Sequence, residues 1–587
     1  MNIIRVRRIT QVFFVVLFLW FCVVTTLGDR WWQLRGWPVN WLLELDPLVA
    51  LGTLLTTKTV YAGLLWALLT VALTIVLGRF FCGWVCPFGA VHQFVGWLGR
   101  RSKKHAEKVA LNQYRRGQVV KYYILVAMLV MAAGGLVARS NSLVAASLQT
   151  GLLDPIPLIH RSVNFVLLSV AEGISASQRH YTGAWAIAAV FFGAIFLNLL
   201  VPRFYCRFIC PLGALFGVLA RWTPWRIGKR EGECSNCEVC ENNCEGACDP
   251  FGKIRVSECL LCMNCLDACR QTQMRYGPNR SAASEIESLG VTRRGFLVVA
   301  VSGLAAVPAM RLSGLAGKNW QPRLVRPPGA LTEADFLDRC IKCGQCMRVC
   351  PTNVIQPATL EAGLEGLWTP VLNMRIGTSG CQLNCVACGN VCPTAALRPL
   401  SLDEKLGRGR FESAGPIRLG TAFLDRGRCL PWAMDAPCIV CQENCPVSPK
   451  AIFAREEFQV IRDGARRVRS ATATSVTVDG AVLKEGKLGT GDFFVRSESG
   501  GDLKRRPIAE NSADTVGVAA SASWESPLQT GSVVVLEVRL QKPFVDPGKC
   551  IGCGICEHEC PVSGLRAIRV TAENESRNKK HSLTASV

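Results

Sequence analysis

The chain has 587 residues, 30 cysteines and a net charge of +22, and half of its residues are hydrophobic. Length alone allows three or four domains, and the much more apolar first two hundred residues exclude a wholly soluble protein. The basic residues are not interleaved with aromatics on a soluble face, which argues against a nucleic-acid binder; membrane topology explains them instead.

Uncharged runs at 9–27, 59–78, 122–138 and 183–201 each reach the ~17–25 residues that a helix needs to cross a bilayer, and they predict four spans. "NWLLELDPLVALGTLL" (40–55) and "VNFVLLSVAEGI" (163–174) are apolar but carry acids, so they read as interfacial segments between spans. Lysine and arginine bias sets the orientation. Arg5, Arg7 and Arg8, the basic loop 99–121, and Arg203, Arg207, Arg221, Arg226, Lys229 and Arg230 are all expected on the cytoplasmic side.

This half is an internal repeat. "GRFFCGWVCPFGAV" after the second span matches "PRFYCRFICPLGAL" after the fourth, and "LELDPLVAL" matches "GLLDPIPLI". Each copy ends in Cys-x3-Cys-Pro, giving Cys82 and Cys86, then Cys206 and Cys210. Spacing of four on a helix puts both thiols on one face. Four such thiols could ligate a cluster or act as dithiol redox pairs, and the sequence does not choose; small cysteines packing at helix ends are the plainer alternative. Asp46, Asp154 and His160 are candidates for proton or quinol chemistry, against the simpler reading of Asp-Pro as a helix start.

The remaining cysteines come in tight groups, which read as cluster ligands rather than a disulfide framework. Cys234, Cys237, Cys240 and Cys244, then Cys259, Cys262, Cys265 and Cys269, have gaps of two, two and three, the bacterial ferredoxin spacing for [4Fe–4S] clusters. Structural zinc also favours Cys-x2-Cys, but in two pairs well apart. Neither group has the ferredoxin proline, and Cys248 competes with Cys244 as fourth ligand.

"TRRGFLVVAVSGLAAVPAM" (292–310) has the order of a twin-arginine export signal followed by a short apolar run, and equally suits a fifth span. Either way, residues from about 315 onward are expected in the periplasm. This region holds four more groups, each closed by Cys-Pro: Cys340, Cys343, Cys346 and Cys350; Cys381, Cys385, Cys388 and Cys392; Cys429, Cys438, Cys441 and Cys445; and Cys550, Cys553, Cys556 and Cys560. If fourth ligands swap in pairs, Cys350 exchanges with Cys392, and Cys445 with Cys560. Clusters must be loaded in a reducing compartment, so export of a folded domain fits this content.

The expected organisation is an α-helical membrane domain (1–225), a cytoplasmic two-motif ferredoxin-like α+β domain (226–285), a signal or anchor helix (290–315), and a periplasmic four-motif ferredoxin domain (325–455 and 545–570). A small β insertion (456–544) and a disordered tail (571–587) complete it. Within the insertion, "SATATSVTVDGAVL" and "GSVVVLEVRLQ" alternate like strands, whereas "SESGGDLKRRPIAENSADTVGVAASASWES" reads as a loop.

Through "CGWVCP", "CRFICP" and the first ferredoxin pair, residues 1 to about 275 resemble the NapH family. From about 290 onward the chain resembles the NapG/MauM ferredoxins. The resemblance implies a quinol dehydrogenase-like electron-transfer component with about six [4Fe–4S] clusters in a bacterial inner membrane. It would take electrons from membrane quinol to a periplasmic cytochrome or reductase, of the nitrate-reductase type, and would use the twin-arginine translocase. Two rival functions share these features: a membrane metal or cofactor reductase for respiratory-complex assembly, and a non-catalytic redox sensor or anchor.

Overall fold

The structure, a computed structural model, describes residues 3–28, 32–137, 146–172, 179–232, 234–269, 271–315, 324–480, 484–498, 503–578 and 582. The chain divides into two compact units, residues 1–378 with 384–417, and residues 379–383 with 418–587. A cleavage candidate beyond the apolar run, "SGLAGK" (313–318), is described only as far as Leu315, and of the C-terminal tail the structure describes residues 571–578 and 582.

The first unit is built on helices α1 (Ile3–Thr26), α2 (Pro47–Thr57), α3 (Ala67–Leu77), α4 (Pro87–Arg100), α5 (Val120–Val137), α6 (Pro155–Ser162), α7 (Ala184–Leu200), α8 (Pro211–Leu219) and α9 (Arg293–Leu315). Four of them start alike. Asp46, Cys86, Asp154 and Cys210 each accept a hydrogen bond from a backbone N–H of the first turn, and a proline follows each at the first helical position. Proline costs nothing there, because that N–H has no helical partner anyway.

Among the described residues, three apolar helices are long enough to cross a membrane: Ile3–Thr26, His105–Gly134 and Arg293–Arg311. The runs at 59–78 and 183–201 form shorter apolar helices, Ala62–Leu77 and Ala184–Leu200. Of the two segments expected at the interface, the first is interior: Leu48 and Val49 are fully buried in one core with Phe18, Phe88 and Tyr205. The second is interior only at its start, where Val163 and Phe165 are buried, while Leu167 and Val170 are exposed. The reason for the first is local: Asp46 caps its own helix N-terminus, so that acid has no need of water.

Two small antiparallel sheets flank cysteine loops in this unit. One pairs β1 (Arg226–Lys229) with β2 (Met274–Gly277), and the other pairs β3 (Ile355–Pro357) with β4 (Pro370–Leu372). The expected boundary at the twin arginines is not where the chain divides. Cys340–Cys350 and Cys385–Cys392 belong with the membrane helices, because Ile341 and Cys343 sit in the same core as Leu48 and Ile156.

The second unit holds the remaining motifs and a closed β barrel. β5 (Thr421–Leu424) pairs with β12 (Ile568–Thr571) beside the cysteines. Between them, β6 (Ile452–Ala471), β7 (Ser475–Val478), β8 (Phe493–Ser497), β9 (Arg506–Asn511), β10 (Thr515–Val518) and β11 (Val533–Val545) close in the order β10-β7-β6-β11-β8-β9. The segment read as a loop therefore supplies two strands. Ile508, Val516 and Val518 are buried, but so are the polar Arg506 and Asn511, while Pro507 and Ala509 are exposed, so no apolar–polar alternation marks these short strands in the sequence.

Candidate iron–sulfur centres

Four of the cysteine loops share one local conformation. The residues flanking the second cysteine have positive φ: Asn236 and Glu238, Leu261 and Met263, Lys342 and Gly344, Gly552 and Gly554. This left-handed pair turns the three thiols of Cys-x2-Cys-x2-Cys toward a common centre. Glycine takes the conformation freely, whereas the other residues are strained by it.

Three cavities are lined by cysteines. Cys340, Cys343 and Cys346 line one together with Cys392. Cys550, Cys553 and Cys556 line a second with Cys445, and Cys429, Cys438 and Cys441 line a third with Cys560. In each, three thiols of one motif meet the last thiol of another. No three ligand-type side chains among the described residues close on a single ion-sized point. Thiols ringing a cavity suit a cluster, which is larger than one ion. Burial pushes Cys343, Cys441 and Cys553 up to about 12, so they release their protons at neutral pH only to a metal centre. Cys381 lies in the second unit and Cys385, Cys388 and Cys392 in the first. Cys350 is buried beside Thr352.

In the N-terminal motif pair, Cys234 and Cys237 are exposed and Cys240 is buried. Cys259, Cys262, Cys265 and Cys244 lie within electrostatic reach of one another. Cys244 and Cys248 are 3.5 Å apart at sulfur, and Cys248 also contacts Cys259, so both alternatives for the fourth ligand face the same place. Cys269 is half-buried.

This motif pair is bolted to the membrane helices by two buried carboxylates that no sequence motif marks. Glu245 pairs with Arg7 at 3.0 Å and with Arg203 at 2.8 Å. Glu258 pairs with Lys121, accepts from Tyr122 at 2.8 Å, and lies 3.8 Å from Arg79. Burial alone would push the Glu245 carboxyl up, but Arg203 and Arg7 outweigh it and hold the group at about 2. Arg207 donates to the backbone oxygens of Glu245, Cys244 and Leu111. A signal for these contacts existed: Arg79 and Arg203 each stand three residues before the first cysteine of a repeat.

The four repeat cysteines come together. Cys86 and Cys210 are buried, and the thiols of both repeats lie within electrostatic reach of each other. Sγ of Cys86 accepts from the Gly89 N–H at 3.4 Å and Sγ of Cys210 from the Gly213 N–H at 3.1 Å. Asp46 and Asp154 also meet. Their Oδ2 atoms have no protein donor, so contact between the carboxyls is a hydrogen bond only when one of them carries a proton. His160 is buried edge-on against Phe18, its ring centroid 4.8 Å away, and neither ring nitrogen has a partner.

A 4Fe–4S binding domain family matches residues 59–105 and 183–230, the two repeats, and a second 4Fe–4S binding domain family matches residues 336–356 and 543–566. With the apolar helices, these matches make the chain similar to membrane proteins of the 4Fe–4S ferredoxin type. Among known proteins, the chain is similar to the ferredoxin-type protein NapH of Haemophilus influenzae, at 26% identity over 42% of this chain and 80% of that protein. It is also similar to the methylamine utilization ferredoxin-type protein MauN of Methylorubrum extorquens, at 32% identity over 34% of this chain and 59% of the relative. Protein NirI of Paracoccus denitrificans matches at 27% identity over 39% of this chain, and the match spans only 32% of NirI's own length. No solved structure matches.

Proposed function

We propose that this protein oxidises membrane quinol and carries the electrons across the bilayer to a redox partner on the far side, a periplasmic cytochrome or reductase of the nitrate-reductase type. One observation carries the reading. The two cysteine regions of the first unit cap opposite ends of α1: Arg7 near its start binds Glu245 and the Cys262 carbonyl, while Thr26 at its end accepts from Arg348, between Cys346 and Cys350. Twenty-four helical residues span about 36 Å, enough to cross the hydrocarbon core. Lysine and arginine bias puts the Cys262 end in the cytoplasm, and the similarity to NapH supports the quinol side of the reading.

In this reading the metal-ligand sets are those the cavities bring together: Cys340, Cys343 and Cys346 with Cys392; Cys550, Cys553 and Cys556 with Cys445; and Cys429, Cys438 and Cys441 with Cys560. Cys350 is then left for the second periplasmic motif. In the cytoplasm, Cys259, Cys262 and Cys265 take Cys244 or Cys248, and Cys234, Cys237 and Cys240 take Cys269. Bound clusters would supply one-electron steps; the chain's own residues position them, exclude water and compensate their charge. Helix α9 acts as a retained fifth span and tether. It packs on α5, where a Cβ at Gly303 would lie 3.1 Å from the Ala127 carbonyl, and Arg311 near its end pairs with Glu365 at 2.9 Å.

The test is anaerobic purification, iron counting and menaquinol oxidation in proteoliposomes with an electron acceptor on the opposite side. Six clusters predict at least ~24 irons per chain. Zinc in place of iron, or an iron-loaded protein that menaquinol fails to reduce, would refute the reading.

A further inference from the structure

We infer that Cys82, Cys86, Cys206 and Cys210 together hold one further iron–sulfur cluster, two thiols from each repeat, and that it is the relay between the cytoplasmic and periplasmic cluster groups. The inference rests on the through-membrane electron-transfer reading. Each 4Fe–4S family match to a repeat contains only two of these cysteines, too few for a cluster, which takes four. The fold supplies the other two.

Three observations carry the site. The first is convergence: Arg203 of repeat two donates to the Cys82 carbonyl of repeat one at 3.5 Å, Cys86 and Cys210 each interact electrostatically with the other repeat's thiols, and each has its sulfur at a helix start that donates an N–H to it. Such bonds favour an anionic sulfur and tune cluster potential. The second is the crossing of two arginines. A Cβ at Gly213 in repeat two would lie 3.0 Å from Arg79 of repeat one, and a Cβ at Gly89 in repeat one would lie 3.4 Å from Arg203 of repeat two. Each repeat thus delivers its arginine to the other's cysteine loop.

The third is charge. Arg7, Arg79, Lys121, Arg203 and Arg207 are all fully buried, and the carboxylates they touch are Glu245 and Glu258 alone. Buried cations in that excess are costly unless an anion accompanies them. A thiolate-ligated cluster is a net anion in both redox states. A pair of disulfides, by contrast, would be neutral and add nothing to the compensation that Glu245, Glu258 and the cytoplasmic motif pair supply.

The placement makes it a relay. Toward the cytoplasmic group, Trp84 between Cys82 and Cys86 donates to the Leu261 carbonyl at 3.0 Å, and a Cβ at Gly83 would lie 2.2 Å from the Leu260 carbonyl. Toward the other group, Tyr205 next to Cys206 donates to the Leu153 carbonyl. Arg161 then donates to the Leu152 carbonyl at 3.3 Å and to the Lys342 carbonyl at 3.1 Å, adjacent to Cys343. Bonded contacts therefore lead from Cys262 to the thiols of repeat one and from those of repeat two to Cys343, and the shared cluster would join the two stretches. The step is a one-electron transfer: the neighbouring reduced cluster is oxidised, this one is reduced, and no bond forms or breaks.

The test uses the full-length protein, purified anaerobically in detergent. C86A and C210A, one from each repeat, are each expected to lose the iron of the same single cluster and the same component of a spectroscopic redox titration, leaving the other clusters intact. C22A, a buried cysteine away from the site, keeps all the iron. R79Q, which leaves every thiol in place, keeps the iron and lowers that component's midpoint potential, because a nearby positive charge is lost. Unchanged iron in both cysteine variants, or a two-thiol change on reduction in place of an iron signal, would overturn the proposal. These readouts need no quinol, so failure of the quinol reading would show separately as an iron-loaded protein inert to menaquinol.

Discussion

Substituting Glu258 by glutamine tests how the cytoplasmic cysteine pair is held to the membrane helices. The carboxylate is 4% exposed, pairs with Lys121, lies 3.8 Å from Arg79, and accepts from Tyr122 at 2.8 Å and Gln118 at 3.4 Å. Glutamine keeps the shape but strands both cations. Removing one partner of a buried ion pair costs about 3–5 kcal/mol, which at about 1.4 kcal/mol per tenfold is roughly a hundred- to several-thousandfold in the docking equilibrium. Hydrogen exchange across residues 254–262 reads that equilibrium directly and should accelerate by such a factor. A second substitution, K121M, removes one stranded cation, so the E258Q/K121M protein should recover part of the loss. Wild-type exchange in E258Q, or strictly additive effects in the double variant, would refute the claim that buried charge holds the two parts together.

Other consequences can be measured on the same protein. The Glu245 carboxyl is held below its ordinary value, so its contribution to docking is fully present above the unfolded carboxylate range near pH 4.5 and is lost as pH falls toward 2; E245Q should flatten the acid limb of an exchange-versus-pH profile. Gly83→Ala would place a methyl 2.2 Å from a backbone oxygen that cannot give way, and should loosen residues 259–262 while leaving the barrel of the second unit unchanged in denaturant titration. C392S should alter the spectroscopic signal of the cluster at Cys340, Cys343 and Cys346, and a wild-type signal would remove Cys392 from that site. Protease added to the periplasmic side should cut within residues 324–578; full protection there would exclude the proposed orientation.

The cysteine motifs were legible because three cysteines of each ferredoxin-like motif are local, as in the spacing of Cys340, Cys343 and Cys346. The fourth is not local: an exchange of Cys392 with Cys350 was an expectation from ferredoxin pairing, and the folded chain puts Cys392 on the same cavity as Cys340. Repetition made Cys82, Cys86, Cys206 and Cys210 visible as pairs, but their convergence depends on how the two copies pack. Glu245 and Glu258 were hidden because an acid between cysteines looks like solvated surface until arginines arrive from residues 7, 79 and 203. The acid at 46 misled in the opposite direction. It suggested an interface, whereas capping lets it sit fully buried. The barrel strands at 506–511 and 515–518 escaped because two or three inward residues are too few to set a period.

The duplication explains why each motif of the membrane half looks too small for a site. One repeat carries a single Asp-Pro, one buried arginine three residues before its first cysteine, and two thiols, none of which makes a working centre alone. Two copies in parallel orientation bring like residues together: Asp46 meets Asp154, and Cys82 and Cys86 meet Cys206 and Cys210. Tyr205 ties the two meeting places to one another, since it stands beside Cys206 and donates to the carbonyl next to Asp154. The symmetry is broken only where it must be. A single ferredoxin pair cannot face both repeats identically, so Arg79 is given Glu258 and Arg203 is given Glu245, from different motifs of that pair. In the proposed reading, this asymmetry would confine electron entry to one end of a symmetric frame, as a directional relay requires.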